Sequence, residues 1–319
     1  MNSVGFPEAP KLMPHIDWIL ALAGLAVGTV VGVTGMGGGA LMTPLLVLLF
    51  GIPPHIAVGS DLTASLFMKP LGAWVHLRRG TVNAGLVRLL CMGSIPSAFA
   101  GAALINHLGH SSDVSGAIRA ILGVTLLVAA TAMIVKTVLA SRRSGPPGAS
   151  EVPIAMKPLR TIAIGVFGGF IVGMTSVGSG SLLIVLLMLL YPRLSGSRLV
   201  GTDLAQAIPL VGAAALGHVI FGDVHLDLTA SLLIGSIPGV YFGARFSSRA
   251  PDRAIRPILV LTLVASALKL LGSSNPLMGA VVATLVAAFT AYLLVTRGGR
   301  PAQAVLELPA SATEPTTLN

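Results

Sequence analysis

Apolar stretches alternate with short polar breaks along nearly the whole chain, and their lengths predict helices. They fall near residues 17–34, 40–50, 56–77, 84–107 and 115–139, then near 160–176, 181–190, 198–220, 227–246, 254–271 and 276–296. Most approach the ~20 residues a helix needs to cross a ~30 Å hydrocarbon core. Two do not: at about ten residues each, 40–50 and 181–190 reach only roughly 15 Å. Both follow a glycine turn, Gly37-Gly38-Gly39 and Gly178-Ser179-Gly180, which itself closes a longer apolar segment. A helix that restarts at half depth leaves backbone N–H groups without intrahelical partners, and lipid offers none. Such amides, at the positive end of a helix dipole, form an anion site. The pattern therefore predicts two half-helix starts meeting near the membrane midplane.

The two sets of segments repeat. A shift of 142 residues superposes Gly59-Ser60-Asp61-Leu62 on Gly201-Thr202-Asp203-Leu204, His76 on His218 and Gly80 on Gly222. The same shift places Gly93-Ser94-Ile95-Pro96 on Gly235-Ser236-Ile237-Pro238 and Gly101 on Gly243. One offset aligning so many polar and glycine positions is the mark of a duplication. The expected divisions are a first transmembrane repeat over 1–140, a linker over 141–159 and a second repeat over 160–272. An additional span over 273–297 and a polar, disordered tail over 298–319 complete the chain.

Composition sharpens the class. Of 319 residues 54% are hydrophobic and 10% charged, with a mean hydropathy of +0.90, against about 25% charged residues in a soluble domain. That excludes a soluble nucleic-acid binder despite the net charge of +9. The positives mark loops instead: Arg78, Arg79 and Arg88; Lys136, Arg142, Arg143, Lys157 and Arg160; Arg193 and Arg198; Arg245, Arg249, Arg253 and Arg256; Arg297 and Arg300. Placing all of these on the cytoplasmic side requires each broken pair to return to the side it entered from. Each half then makes an odd number of full crossings, so the second is inverted relative to the first. The N-terminus is expected outside and the tail inside, in the cell membrane. Met1 to Asp17 has no basic region of the signal-peptide kind, so the first helix is expected to be retained. Cys91 is the one cysteine and reads as a packing residue.

Within the apolar segments the ionisable residues stand out, because burying charge in a bilayer is costly. Asp61 and Asp203 are repeat equivalents and candidates for coupling a proton, with helix capping as the rival role. Both are expected to lie shallower than the glycine turns. Lys69 sits about 13 residues into its segment, near or just past the midplane, and an ammonium there needs an anion: the substrate, Asp61, or both. Its repeat equivalent is Val211, so that charge serves one half only. Thr202, Gln206, Ser179 and Ser181 offer neutral hydrogen bonds to an oxyanion or between helices. The anion itself is expected at Gly37, Gly38, Gly39 and Ala40 and at Gly178, Ser179, Gly180 and Ser181. His76 and His218 read as local hydrogen-bonding groups, and Gly93, Gly101, Gly235 and Gly243 as close helix-packing positions. The sequence has neither metal-ligand spacing nor a Gly-Lys-Ser/Thr phosphate loop. No metal and no cofactor is expected.

The first half resembles the sulfite exporter TauE/SafE (TSUP) family of membrane transporters. The residues that carry the resemblance are Gly37-Gly38-Gly39, Pro44, Gly51, Ala57-Val58-Gly59-Ser60, His76, Arg78-Arg79-Gly80, Gly93, Pro96 and Gly101. The second half keeps Gly201-Thr202, His218, Gly235 and Gly243-Ala244-Arg245. The resemblance spans roughly residues 18–272 and implies transport of sulfite, sulfonates or related organic anions. Two features depart from the family pattern: Gly-Ser-Gly at the second turn where three glycines are common, and Asp61 and Asp203 where many members are uncharged. The expectation is an all-α polytopic membrane protein of two inverted repeats with broken half-helices, plus one extra C-terminal span. As a secondary transporter it would move a small anion by alternating access. An anion channel on the same scaffold is the alternative, and an intramembrane enzyme built on Ser179 is disfavoured for want of a histidine base. Its partners are the anionic substrate and the lipid bilayer, with no nucleic acid; homo-oligomerisation is left open.

Overall fold

The computed structural model describes residues 16–34, 38–108, 112–142, 155–246, 252–281, 283–285 and 287. The main helices are α1 (Trp18–Thr34), α2 (Gly39–Leu49), α3 (Pro54–Arg78), α4 (Ala84–Leu108), α5 (Ser112–Arg142), α6 (Pro158–Thr175), α7 (Leu182–Leu190), α8 (Gly196–Phe221), α9 (Leu226–Phe246) and α10 (Asp252–Leu270). A further apolar helix starts at Asn275. Hydrophobic spacing therefore located the helices to within a few residues. The two short ones are as expected: α2 has 11 residues and α7 has nine, following helices of 17 and 18. The expected tail, most of the linker and the two ends of the chain lie outside the described residues, as does Gly37.

Among the described residues, five helices are long and apolar enough to cross a membrane: α4, α5, α6, α8 and α9. Large apolar side chains such as Trp18, Leu49, Phe67, Met92, Leu159 and Leu226 lie exposed on the outer surface. An apolar surface of this kind is what lipid requires and water penalises. The fold is that of an all-α membrane protein.

The most extensive helix contacts are α1 with α9 and α4 with α6, then α4 with α8, α3 with α8 and α5 with α10. The 142-residue offset turns α1–α5 into α6–α10, so it exchanges the first two pairs and maps α3–α8 and α5–α10 onto themselves. Individual bonds obey it too. The Asn83 amide donates to Thr202 Oγ1 at 3.1 Å, and the His225 amide donates to Ser60 Oγ at 3.4 Å.

Glycine makes the two largest contacts close. On α1, a Cβ at Gly24 would lie 2.7 Å from Leu232 O and one at Gly28 would lie 2.5 Å from Ser236 O; on α9, one at Gly239 would lie 2.5 Å from Leu25 O. Gly93 and Gly101 of α4 abut Ile162 O and Phe170 O of α6 in the same manner. Small residues four apart let helix backbones touch, which is how membrane helices gain packing energy when lipid is as apolar as their side chains. Gly101→Leu, whose Cβ would sit 2.5 Å from Phe170 O, should part α4 from α6 and sharply reduce the yield of monodisperse protein. Gly116→Ala, which meets nothing within 4 Å, should leave that yield unchanged in size-exclusion profiles.

Candidate functional site

The two helix breaks meet. Gly39 opens α2, and a Cβ there would overlap the carbonyl oxygen of Ser176, the residue that ends α6. Ser176 has φ 60°, the one non-glycine residue in the left-handed region among those described, which costs an L-residue about 1–2 kcal/mol. Its N–H caps α6 on Val172 O. Its hydroxyl donates to Asp61 Oδ2 at 2.8 Å.

Asp61 reaches that point because α3 starts at Pro54 rather than near 56, which sinks the carboxylate roughly 11 Å into the helix. The expectation that it lies shallower than the turns is thereby corrected: it touches the second turn directly. Thr43 of α2 also donates to Oδ2, at 2.8 Å, and Ser65 to Oδ1 at 3.5 Å. Three hydroxyls from α2, α3 and the end of α6 thus converge on one buried carboxylate. Removing one of them costs about 1.5–3 kcal/mol where the acceptor is charged. Ser176→Ala keeps the strained backbone and loses the bond, so it should lower the melting temperature of the purified protein by several degrees.

Lys69, two turns further along α3, does not pair directly with Asp61. Its Nζ donates to Ser179 Oγ at 2.6 Å, and the Asp203 and Asp61 carboxylates both lie within its Coulombic reach. Ser179 stands between Gly178 (φ 129°) and Gly180 (φ 90°). Those flanking angles suit glycine alone, whereas the middle residue is unconstrained. This explains Gly-Ser-Gly at the second turn: the central position is free to carry a hydroxyl, and that hydroxyl meets Lys69. Ser181, also buried, precedes the first residue of α7. At the first turn Gly38 and Ala40 flank Gly39, and a Cβ on Gly38 would lie 3.9 Å from Asp61 Oδ1.

The second repeat supplies Thr202, Asp203 and Gln206 from α8, all buried. Thr202 is engaged by Asn83, and Gln206 Oε1 accepts from Ser94 Oγ of α4 at 3.1 Å. Asp203 faces the Gly180 amide and the Gln206 side chain, yet neither closes to a hydrogen bond, so both carboxylate oxygens and Gln206 Nε2 stand unbonded. Asp203 therefore faces the turn of its own repeat, Asp61 bonds to residues at both breaks, and Lys69 lies within Coulombic reach of the two.

Some participants escaped the sequence reading. Lys136, read as a loop marker, lies within α5 and donates to Gly180 O at 3.4 Å, so it belongs to the second turn and not to the topology signal. Thr43, Ser65 and Ser176 carried no distinguishing pattern among many small polar residues, and Ser94 stood out only as part of the repeated Gly93-Ser94-Ile95-Pro96. Asp223, just past α8, is buried and lies 3.2 Å from His218 Nδ1, while His218 Nε2 donates to Gly173 O at 2.9 Å. Its equivalent in the first repeat is Thr81, 2.9 Å from His76 Nδ1. His76 thus bonds locally at the end of α3, whereas His218 also reaches across to the last turn of α6, three residues before Ser176.

Residues 20–270 match the family described as sulfite exporter TauE/SafE. The chain belongs to the TauE/SafE family. It is 42% identical over 257 residues to the probable membrane transporter protein YjnA of Bacillus subtilis, covering 79% of this chain and 98% of that protein. It is 26% identical over 253 residues to the probable membrane transporter protein YdhB of the same organism, covering 79% of this chain and 99% of YdhB. A probable membrane transporter protein of Xylella fastidiosa is 23% identical over 249 residues, or 77% of this chain and 91% of that protein. No solved structure matches the chain. Membership of the TauE/SafE family and the transporter names of these relatives place it among membrane transport proteins.

Proposed function

We propose that this TauE/SafE protein is a secondary transporter that carries a small oxyanion, of the sulfite or sulfonate kind, by alternating access. The contact that carries the reading is the meeting of the two helix breaks, Gly39 against Ser176, with the Lys69 ammonium 2.6 Å from Ser179 at the same place. The α2 and α7 starts, Gly38–Ala40 and Gly178–Ser181, hold the anion by backbone amides. Lys69 offsets its charge, and one of the two aspartates carries a coupling proton. Gly37, on the first turn, belongs to the same proposal.

Two inverted repeats, 1–140 and 160–272 about the 141–159 linker, supply the moving parts, with the 273–297 span outside the repeat. The exchange of α1–α9 with α6–α4 under one offset supports that symmetry, and rocking of one half against the other about a midplane site is its mechanical consequence. The N-terminus lies outside the cell membrane and the tail in the cytoplasm. An anion channel uses the same half-helix starts without occlusion. The two are separated in proteoliposomes: a carrier shows saturation and counterflow of labelled sulfite or sulfonate, and a channel shows neither. A thermal-shift panel of sulfite, alkyl sulfonates and carboxylates against purified protein should stabilise it with the sulfur oxyanions first. A panel in which no oxyanion shifts the transition, with no counterflow, contradicts the substrate class.

A further inference from the structure

We propose that Asp203 is the proton carrier of the transport cycle and, when ionised, holds the seat of a monovalent oxyanion at the start of α7, whereas Asp61 is a fixed structural carboxylate. This rests on the transporter reading above and assigns its coupling step. The two aspartates occupy equivalent positions and are equally buried, at 1% exposure each. Their surroundings are opposite. Asp61 accepts hydroxyls from Thr43, Ser176 and Ser65, so both its oxygens are bonded. Neither oxygen of Asp203 is.

The groups around Asp203 are those an oxyanion requires. The Gly180 amide, at the turn into α7, and the Gln206 side-chain amide face it, and Lys69 and Lys136 supply positive charge. Gln206 is fully buried and held by Ser94 through its oxygen, which leaves Nε2 aimed inward and unbonded. The charged groups facing the site come from α3 (Lys69, with Asp61) and α5 (Lys136). Helix α7 has no titratable residue, α4 presents Ser94, and α6 meets α8 at Gly173 O, bonded to His218 about four turns along α8. A second anion beside an ionised Asp203 would compete for the same donors and repel it. Protonated, Asp203 is neutral and its O–H donates to the arriving oxyanion.

The charges then balance. Two carboxylates face two ammonium groups before binding; a monoanion arriving with one proton on Asp203 leaves the sum unchanged. Asp203 takes that proton from the aqueous phase to which the site is open, acid and anion cross together, and the proton leaves on the far side as the carboxylate reclaims its seat. No bond in the substrate is made or broken.

The test measures proton uptake on binding by purified full-length protein in weakly buffered detergent. Methanesulfonate is the probe, since it stays ionised and any proton counted belongs to the protein. Wild type should take up about one proton per anion, with affinity falling about tenfold per pH unit once Asp203 is ionised. Asp203→Asn should bind with no uptake and no pH slope. Asp203→Glu should keep one proton per anion at a displaced pH midpoint, and it decides the matter if the asparagine variant does not fold. Thr43→Val, which removes a bond to Asp61 alone, should leave count and midpoint in place. Binding by wild type without uptake, uptake retained in Asp203→Asn, or an unmoved midpoint in Asp203→Glu would overturn the assignment while leaving the transporter reading intact. A protein that binds no sulfur oxyanion and shows no counterflow would sink that reading itself.

Discussion

Lys69→Gln is expected to reduce oxyanion counterflow by at least about 100-fold, a loss of roughly 2.8 kcal/mol, while the protein still inserts and elutes as a single species. The ammonium has two roles that glutamine cannot fill. It makes a charge-assisted bond to Ser179 at 2.6 Å, a class worth about 1.5–3 kcal/mol. It is also the positive charge acting on both Asp61 and Asp203, so without it a substrate anion would meet the Asp61 carboxylate with one compensating charge fewer. Fold should survive because Lys69 lies on a helix whose packing against α8 does not depend on its charge. Lys69→Arg keeps the charge but replaces a compact ammonium with a wide fork, and should restore only part of the activity. Normal counterflow by Lys69→Gln would show that the charge serves packing alone.

Gly39→Val should be as damaging by a different route, and its neighbour should be tolerant. A Cβ on Gly39 overlaps Ser176 O and Oγ, backbone and side chain held in place by the α6 cap and by Asp61. The helix starts would have to separate, so we expect loss of transport together with a loss of folded protein. Gly38 has helical angles, φ −60° and ψ −28°, and a Cβ there finds only ordinary contacts at 3.7 Å or more. Gly38→Ala should therefore fold with near-normal yield. Equal behaviour of the two variants, measured by size-exclusion yield and counterflow, would argue against direct contact between the turns.

Helix positions were readable because lipid enforces long apolar runs, and breaks in those runs are as visible as the runs themselves. The 142-residue offset was readable because glycine, proline and aspartate report backbone demands, and the helix pairing follows the same offset. The interior of the site was less so. Asp61 and Lys69 share a helix and so invite pairing in one dimension, yet the structure sends Lys69 to Ser179, 110 residues away in the chain. Lys136 looked like a loop charge because it stands at the end of the 115–139 segment beside the linker arginines; α5 continues to Arg142, which keeps it within the helix and in reach of Gly180 O. Nor does a sequence distinguish two equivalent aspartates. Only three-dimensional contacts show hydroxyls around one and none bonded to the other.

The proposed function requires the two helix starts to share one substrate-sized cavity that opens to water inside the bilayer. The most direct measurement places single cysteines at Ala40 and at Ser181 in a Cys91→Ala background and follows their reaction with a small thiol reagent in proteoliposomes. Both positions are predicted to react through the cavity and to be protected together by saturating sulfite or sulfonate. If each reacts at full speed from a different bulk phase whatever anion is present, the two starts do not share a site and the proposed mechanism fails.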